Sequence, residues 1–254
     1  MTPRLGLPEV TLCAVTSVNI AATVHALTTT LSKIDVAAAL LLTDKVVTAD
    51  HPGVTVVPIP PIHSAQAYSK FLLTRLVDYI DTSHCLIVQW DGHVIDAERW
   101  RPDFLGYDYI GASWPQFTDG RDVGNGGFSL RSRRLMKLCR DPGFFACHPE
   151  DVAIGRANRA WLEEQGIRFA PRGMADLFST ERGGDVTKSF GYHGAWLMPR
   201  VLGTAAFFEL YCSLDDCGTI RRDFAAIVRQ IAIGRHGVRR ALRLVWDQIF
   251  HRGR

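Results

Sequence analysis

The sequence predicts an α/β fold, a mostly parallel central sheet flanked by helices, with a C-terminal helical tail. Three observations carry that prediction. Short apolar runs alternate with amphipathic helical repeats over the first ninety or so residues. One of these runs, at the head of Cys85–Asp96, is continuously apolar, as in a strand buried on both faces. It leads straight into Gln89, Trp90 and Asp91, which puts a carboxylate beyond the carboxyl end of a strand, where open α/β sheets bind ligands.

The elements follow in order. Val10–Val15 reads as a strand ending in Thr16-Ser17, and Asn19 is placed to cap a helix whose Ile20, Val24, Leu27 and Leu31 recur at helical spacing. Val36–Leu42 is a second strand, ending in Thr43-Asp44; Val54–Val57 is a third, closed by Pro58, Pro60 and Pro61. Ser64 caps a helix with an apolar face of Tyr68, Phe71, Leu72, Leu76 and Tyr79. A short strand is expected around Tyr107–Ala112 and a helix over Ser132–Cys139. Pro149 opens another helix running to about Gln165 and closed by Gly166, and Ile167–Ala170 reads as a strand. Ser179–Lys188 is a polar, Gly-rich loop. Beyond Pro199 the chain reads as helical, with a break near Gly234–Gly237.

The 254 residues are 47% hydrophobic and 22% charged, which suits one large globular domain with an appendage: residues 1–202 as the main unit and 203–254 as the tail. No apolar run approaches the roughly 20 residues of a membrane span, and no secretory signal is expected. Six cysteines without a Cys-x-x-Cys pair indicate free thiols and a cytoplasmic protein. The net charge of +3 is uneven. Residues 221–254 hold nine arginines, no lysine and two aspartates, a net +7 that leaves −4 for the rest. Interleaved with Phe224, Ile227, Val228, Ile231, Leu242, Val245, Trp246 and Phe250, these arginines form the pattern of a basic amphipathic helix. It would either lie on an anionic membrane surface or pack on the main domain. The first strand–helix turn lacks both Gly-x-Gly-x-x-Gly and Gly-x-x-x-x-Gly-Lys-Ser/Thr, which disfavours dinucleotide oxidoreductases and P-loop enzymes.

Several residues carry chemistry. In an extended backbone Asp91 and His93 share a face and could hold a divalent cation; alternatively Asp91-Gly92 is only a turn. Gly124–Gly127 lets the backbone approach a ligand closely, with Arg131, Arg133 and Arg134 nearby as cations. Glu150 and Asp151 serve either chemistry or the helix dipole. His193, between aromatics and glycines, is either structural or a ligand.

The order of these signals resembles a GT-A-fold glycosyltransferase, which is Rossmann-like. The nearest likeness is to a bacterial family of unassigned glycosyltransferase-like proteins. The resemblance rests on Ala14–Asn19, Gln89-Trp90-Asp91-Gly92, Tyr109–Ala112, Trp114-Pro115, Val123–Arg131, His148–Asp151 and Phe190–Gly194, and covers about residues 8–202. It implies a metal site at Asp91 and His193, with His93 as a further ligand, holding Mn²⁺ or Mg²⁺. It implies Asp151 as the base of an inverting reaction, with Glu150 beside it. It implies a nucleotide-sugar donor, taken as a UDP-sugar, held by Thr16, Ser17, Val18, Thr43, Asp44, Gln89, Trp90, Gly126 and Gly127; on charge grounds Lys70 and Arg131 would help neutralise its phosphates, with a solvated face as the favoured alternative for Lys70. The acceptor would be a glycan or lipid-linked glycan in surface polysaccharide synthesis. The protein would then lie in the cytoplasm, peripheral on the inner face of the plasma membrane through 221–254, with no nucleic-acid partner. The sequence departs from the pattern in having no full Asp-x-Asp. Two other functions fit a similar sheet: a nucleotidyltransferase, although the first loop lacks the Gly-rich, Arg-bearing form that enzyme needs, and a non-catalytic nucleotide- or glycan-binding module.

Overall fold

The computed structural model describes residues 4–47 and 52–250. Its strands are β1 (Leu5–Val15), β2 (Ile34–Thr43), β3 (Val54–Pro58), β4 (His84–Val88), β5 (Gly92–Val94), β6 (Tyr109–Ile110), β7 (Phe128–Ser132), β8 (Ser179–Thr180) and β9 (Gly191–His193). The helices are α1 (Ile20–Leu31), α2 (Ala65–Thr74), α3 (Arg133–Leu138), α4 (Glu150–Val152), α5 (Arg159–Glu164), α6 (Arg172–Phe178), α7 (Met198–Val201), α8 (Thr204–Cys212), α9 (Phe224–Ile231) and α10 (Gly237–Phe250).

Six strands form the main sheet in the order β3-β2-β1-β4-β7-β6. The pairs β1–β2, β1–β4 and β2–β3 are parallel, whereas β7 runs antiparallel to both β4 and β6. The sheet is thus mixed. The uninterrupted apolar runs come from burial on two sides. Leu12 and Ala14 of β1, with Leu86 and Val88 of β4, pack under Val24 and Leu27 of α1. Cys13 and Val15, with Cys85 and Ile87, pack under Leu72 of α2 and Leu76. All are buried, at about 1.5–3 kcal/mol for each larger aliphatic side chain. A second sheet, β5-β9-β8, pairs Gly92 with His193 and so brings the loop after β4 against β9.

Several expectations need correction. Asn19 does not cap α1 with its side chain. It adopts a left-handed conformation, φ 53°, and its amide turns away to residues 216 and 219. The segment Ile167–Ala170 forms no strand; it makes a single bridge, Phe169 to Tyr109. The helix after Pro149 is broken: α4 passes into a π-turn over Ala153–Ala157, where the Asn158 amide reaches back five residues to the Ala153 carbonyl at 3.0 Å. The Asn158 side chain, bonded to both main-chain groups of Phe145, anchors that extra residue.

The tail is helical but does not form one continuous amphipathic face. Ile220, Ile227, Ile231 and Leu244 share a buried cluster with Tyr192, Phe207 and Tyr211. The expected basic stretch extends to Arg254, of which residues 251–254 lie outside the described residues. No helix among the described residues is long and apolar enough to cross a membrane, and all six cysteines are free thiols.

Candidate functional site

The strand order reverses between β1 and β4: β1 is followed outward by β2 on one side and flanked by β4 on the other. Such a switch point opens a crevice at the carboxyl ends of the two strands. A cavity of about 390 Å³ lies there. The turn after β1 supplies Thr16, Ser17 and Val18, and the turn after β4 supplies Gln89 and Trp90. Ser64, Ala65 and Tyr68 come from the start of α2, and Asp216 and Thr219 from the tail. The tail is held there because Asn19 bonds the Asp216 amide at 2.9 Å and the Thr219 hydroxyl at 3.1 Å. Ser17 ties the rim together, accepting from the Ile62 amide at 2.9 Å and donating to Asp44. That bond, with Lys45 3.0 Å away, holds the Asp44 carboxyl below its usual range.

Gln89 connects this cavity to a charged cluster. Its amide nitrogen donates to the Tyr68 hydroxyl at 2.8 Å, and its oxygen lies 3.2 Å from His193 Nε2. The same nitrogen is 3.3 Å from Asp91 Oδ1, while His193 Nδ1 is 3.6 Å from Glu181 Oε1. Neither carboxylate contact closes as a directed hydrogen bond: Asp91 Oδ1 and His193 Nδ1 are both buried without one. Burial disfavours charge on all three groups, yet their mutual attraction prevails. The His193 pKa is raised well above its ordinary value, and those of Asp91 and Glu181 are lowered.

His93 does not join this cluster. The chain turns at Gln89–Gly92, with the Gly92 amide bonded to the Gln89 carbonyl at 3.1 Å, so the extended backbone that would align Asp91 with His93 is absent. His93 is buried on the side of α1, edge-on to Tyr192, and burial there lowers its pKa to about 4. Among the described residues no group of three His, Cys, Asp or Glu side chains is arranged to hold a metal ion.

The glycine loop serves a different purpose from the one the sequence suggests. A Cβ on Gly127 would sit 2.0 Å from the His193 ring, and one on Gly126 would sit 1.9 Å from Glu150 Oε1. Both glycines make room for protein side chains. The loop carbonyls are satisfied from within: Gly127 accepts from the Gln89 amide at 2.9 Å, Gly126 from Ser129 at 3.2 Å.

Arg131 needs correction as a donor contact, and Lys70 takes the solvated alternative. Arg131 is 1% exposed and donates to Glu150 Oε1 at 3.1 Å and to Ser129 at 3.1 Å, with the Tyr109 ring beneath it. Its position on β7 turns it into the interior. Lys70 is exposed, because Tyr68, Ser69, Leu72 and Leu73 take the inward side of α2. Thr43 is buried and its hydroxyl accepts from the Lys45 amide at 3.2 Å; it does not line the cavity.

Glu150 and Asp151 separate clearly. Glu150 is 5% exposed and fully engaged, by Arg131 and by the Ser69 hydroxyl at 3.2 Å. Asp151 is half-buried, and among the described residues its carboxylate accepts a hydrogen bond from the Val152 amide at 2.8 Å. A helix start by itself favours an ionised carboxylate. Instead the Asp151 pKa is raised, first by burial and then by the neighbouring Glu150 charge. Glu181 also acts on it electrostatically, so Asp151 belongs to the same field as the His193 cluster.

Sequence reasoning passed over Glu181, Tyr68, Asp216 and Thr219. Glu181 begins what reads as a featureless polar loop. Its signal would have been Ser179-Thr180, a strand that pairs beside β9 and delivers the next residue to His193.

No curated protein matches the chain. A family match covers residues 53–193, from the start of β3 to His193 itself and more than half of the 254 residues. The matched span contains Asp91, the glycine loop, Glu150, Asp151 and Glu181, and on this evidence the chain belongs to the family described as "Protein of unknown function (DUF5672)".

Proposed function

We propose that this protein is a glycosyltransferase with a GT-A-like fold, which moves a sugar from a nucleotide-sugar donor to a glycan acceptor. The observation that carries the reading is the cavity at the β1/β4 switch point, adjoining Asp91 and His193. A nucleoside suits a cavity of this size, with Trp90 and Tyr68 as apolar walls. The amino ends of α1 and α2 border it through Val18, Thr23, Ser64 and Ala65, and helix amino ends favour phosphate.

Among the described residues no Lys or Arg lines the cavity, while Asp216 does and Asp91 lies close by. A diphosphate brought here needs a counter-charge. The donor set fits a hard divalent cation of the kind bound through one or two carboxylates plus substrate phosphates. Asp91 Oδ1 is buried and unsatisfied, with His193 Nε2 and Gln89 Oε1 beside it. Asp91 and His193 would hold Mn²⁺ or Mg²⁺, which would offset charge on the departing diphosphate. The neighbouring carboxylates raise the His193 pKa, so cation binding at this ring competes with its proton.

Asp151 is the base. It takes the proton of the acceptor hydroxyl as that oxygen bonds to the anomeric carbon and the bond to the diphosphate breaks. A raised pKa makes Asp151 a stronger acceptor than an ordinary carboxylate, provided it is ionised. Transfer should therefore rise with pH through the Asp151 pKa.

The test is a thermal-shift screen of nucleotide sugars with and without Mn²⁺, followed by transfer assays on Asp151→Asn. That variant should bind donor like the wild type and lose transfer by about 10²–10⁴-fold. Near-normal transfer by Asp151→Asn would reject it as the base. Donor binding without either transfer or donor hydrolysis would mark a binding module, and formation of a nucleotide sugar from a nucleoside triphosphate would mark a nucleotidyltransferase.

A further inference from the structure

The two tail helices differ in what they bury. α9 places Ile227 and Ile231 in the core. α10 turns Ala241, Leu244 and Asp247 inward and leaves Val238, Leu242, Trp246, Ile249 and Phe250 exposed, each by more than half. At 100° per residue the exposed five fall within one arc of about 120°, opposite the buried side. The helix is therefore apolar on two faces, and only one of them has a partner among the described residues.

Cations border the open face. Arg239, Arg240 and Arg243, with His236 and one acid, Glu209 of α8, line a groove of about 650 Å³ between α10 and α8. Arg240 lies over the Phe208 ring at 5.6 Å, and Arg243 pairs with Asp247 at 2.9 Å. Arg239 and Arg240 form no ion pair among the described residues. The one acid of α10, Asp247, is buried.

We propose that this face of α10 docks on an anionic phospholipid bilayer. Val238, Leu242, Trp246 and Ile249 would enter the acyl boundary, and Arg239 and Arg240 would meet headgroup phosphates. Charge complementarity selects this occupant. In a two-fold contact between copies, each chain brings the same arginine-bordered face, with one exposed acid, Glu209 of α8, against the three arginines of the groove and none on α10. Tryptophan in such a stripe suits the boundary between lipid and water, where one edge stays wet. The inference does not depend on the sugar-transfer reading.

The test uses the full chain, because Ile220, Ile227 and Leu244 belong to the core and removing the tail would unfold what it packs against. Flotation is measured with mixed phosphatidylglycerol/phosphatidylcholine vesicles and with pure phosphatidylcholine vesicles. Sedimentation velocity is run without lipid. Wild type should float with the anionic vesicles only, and less as salt rises. Leu242→Glu/Trp246→Glu and Arg239→Glu/Arg240→Glu should each reduce flotation by at least about tenfold, with the melting temperature unchanged. These pairs alter different residues, all exposed except Arg240, which is partly buried over the Phe208 ring, so misfolding of one leaves the other decisive. Absence of wild-type flotation, equal binding to both vesicle types, or full binding by a folded Leu242→Glu/Trp246→Glu variant would overturn the proposal. So would a dimer that this variant dissociates, which would assign the face to a second copy.

Discussion

Two ion clusters lie on either side of the glycine loop, and they are built on opposite plans. Arg131 and Glu150 sit against Gly126, almost without exposure, and every charged end has a partner: Glu150 has Ser69 and Arg131, and Arg131 has Ser129 and the Gly126 carbonyl. His193 sits against Gly127, with Asp91 and Glu181 beside it, and all three are slightly open. They contact one another by charge, with Asp91 Oδ1 and His193 Nδ1 left without hydrogen bonds. The first cluster has nothing left to offer a ligand. The second holds unspent polar atoms beside a cavity. Incomplete satisfaction, more than charge or burial, separates a site from a brace.

The largest effect should come from unbalancing the brace. Arg131→Met leaves the Glu150 carboxylate buried without its cation and should cost about 3–5 kcal/mol by chemical denaturation. A loss below about 1 kcal/mol would show that Glu150 finds another partner, and the contrast would fail. Next is the wall between the clusters. Gly127→Ala places a Cβ 2.0 Å from the His193 ring, so ring or loop must move. We expect a loss of about 1–3 kcal/mol together with weaker donor binding. Full donor affinity in this variant would detach His193 from the donor site.

The smallest effect in stability, and the most informative in pH, should come from Asp91→Asn, on the order of 1 kcal/mol. His193 has a folded pKa above its ordinary 6.5, so its contribution is complete below that value and is lost as pH rises through the folded pKa. Asp91 and Glu181 have folded pKa values below their ordinary 3.8 and 4.5; their contributions are present above those values and are lost as pH falls through the depressed ones. The cluster is thus most stabilising between about pH 4.5 and 6.5. NMR titration of His193 should show its pKa moving down toward 6.5 in Asp91→Asn. An unmoved pKa would place the main charge partner elsewhere. Stimulation by Mn²⁺, if the cation binds here, should grow as pH rises past that window.

The comparison also explains what the sequence could and could not reveal. The central strands were legible because burial on two faces writes itself as unbroken apolar runs over Val10–Val15 of β1 and in β4, while the apolar run of β2 is fully buried only toward its carboxyl end. Asp91 was legible because it ends such a run, and Ser64 as a cap because its hydroxyl accepts from Ala67 at 3.1 Å. Arg131 was misread because a cation after a glycine loop carries no mark of which way its strand turns it. Glu150 and Asp151 are adjacent and chemically alike, and only Arg131, fixed by β7, decides which one is consumed. His93 was misplaced by one tight turn. The π-turn after α4 left no trace in the apolar spacing, since Ala153, Ile154 and Leu162 are buried despite the extra residue. Glu181 was invisible because its strand is only two residues long.

The Asn19 clasp carries a consequence for how the molecule is made. The loop after β1 is fastened to residues 196 and more positions later in the chain. During synthesis at about 5–20 residues per second, roughly 10–40 s pass between the appearance of Asn19 and that of its partners. For that interval the loop that helps to frame the cavity lacks its fastening, on a nascent chain that already contains β1, β4 and the glycine loop. Completion of the cavity rim is thereby tied to the arrival of a segment translated 196 to 200 residues after Asn19.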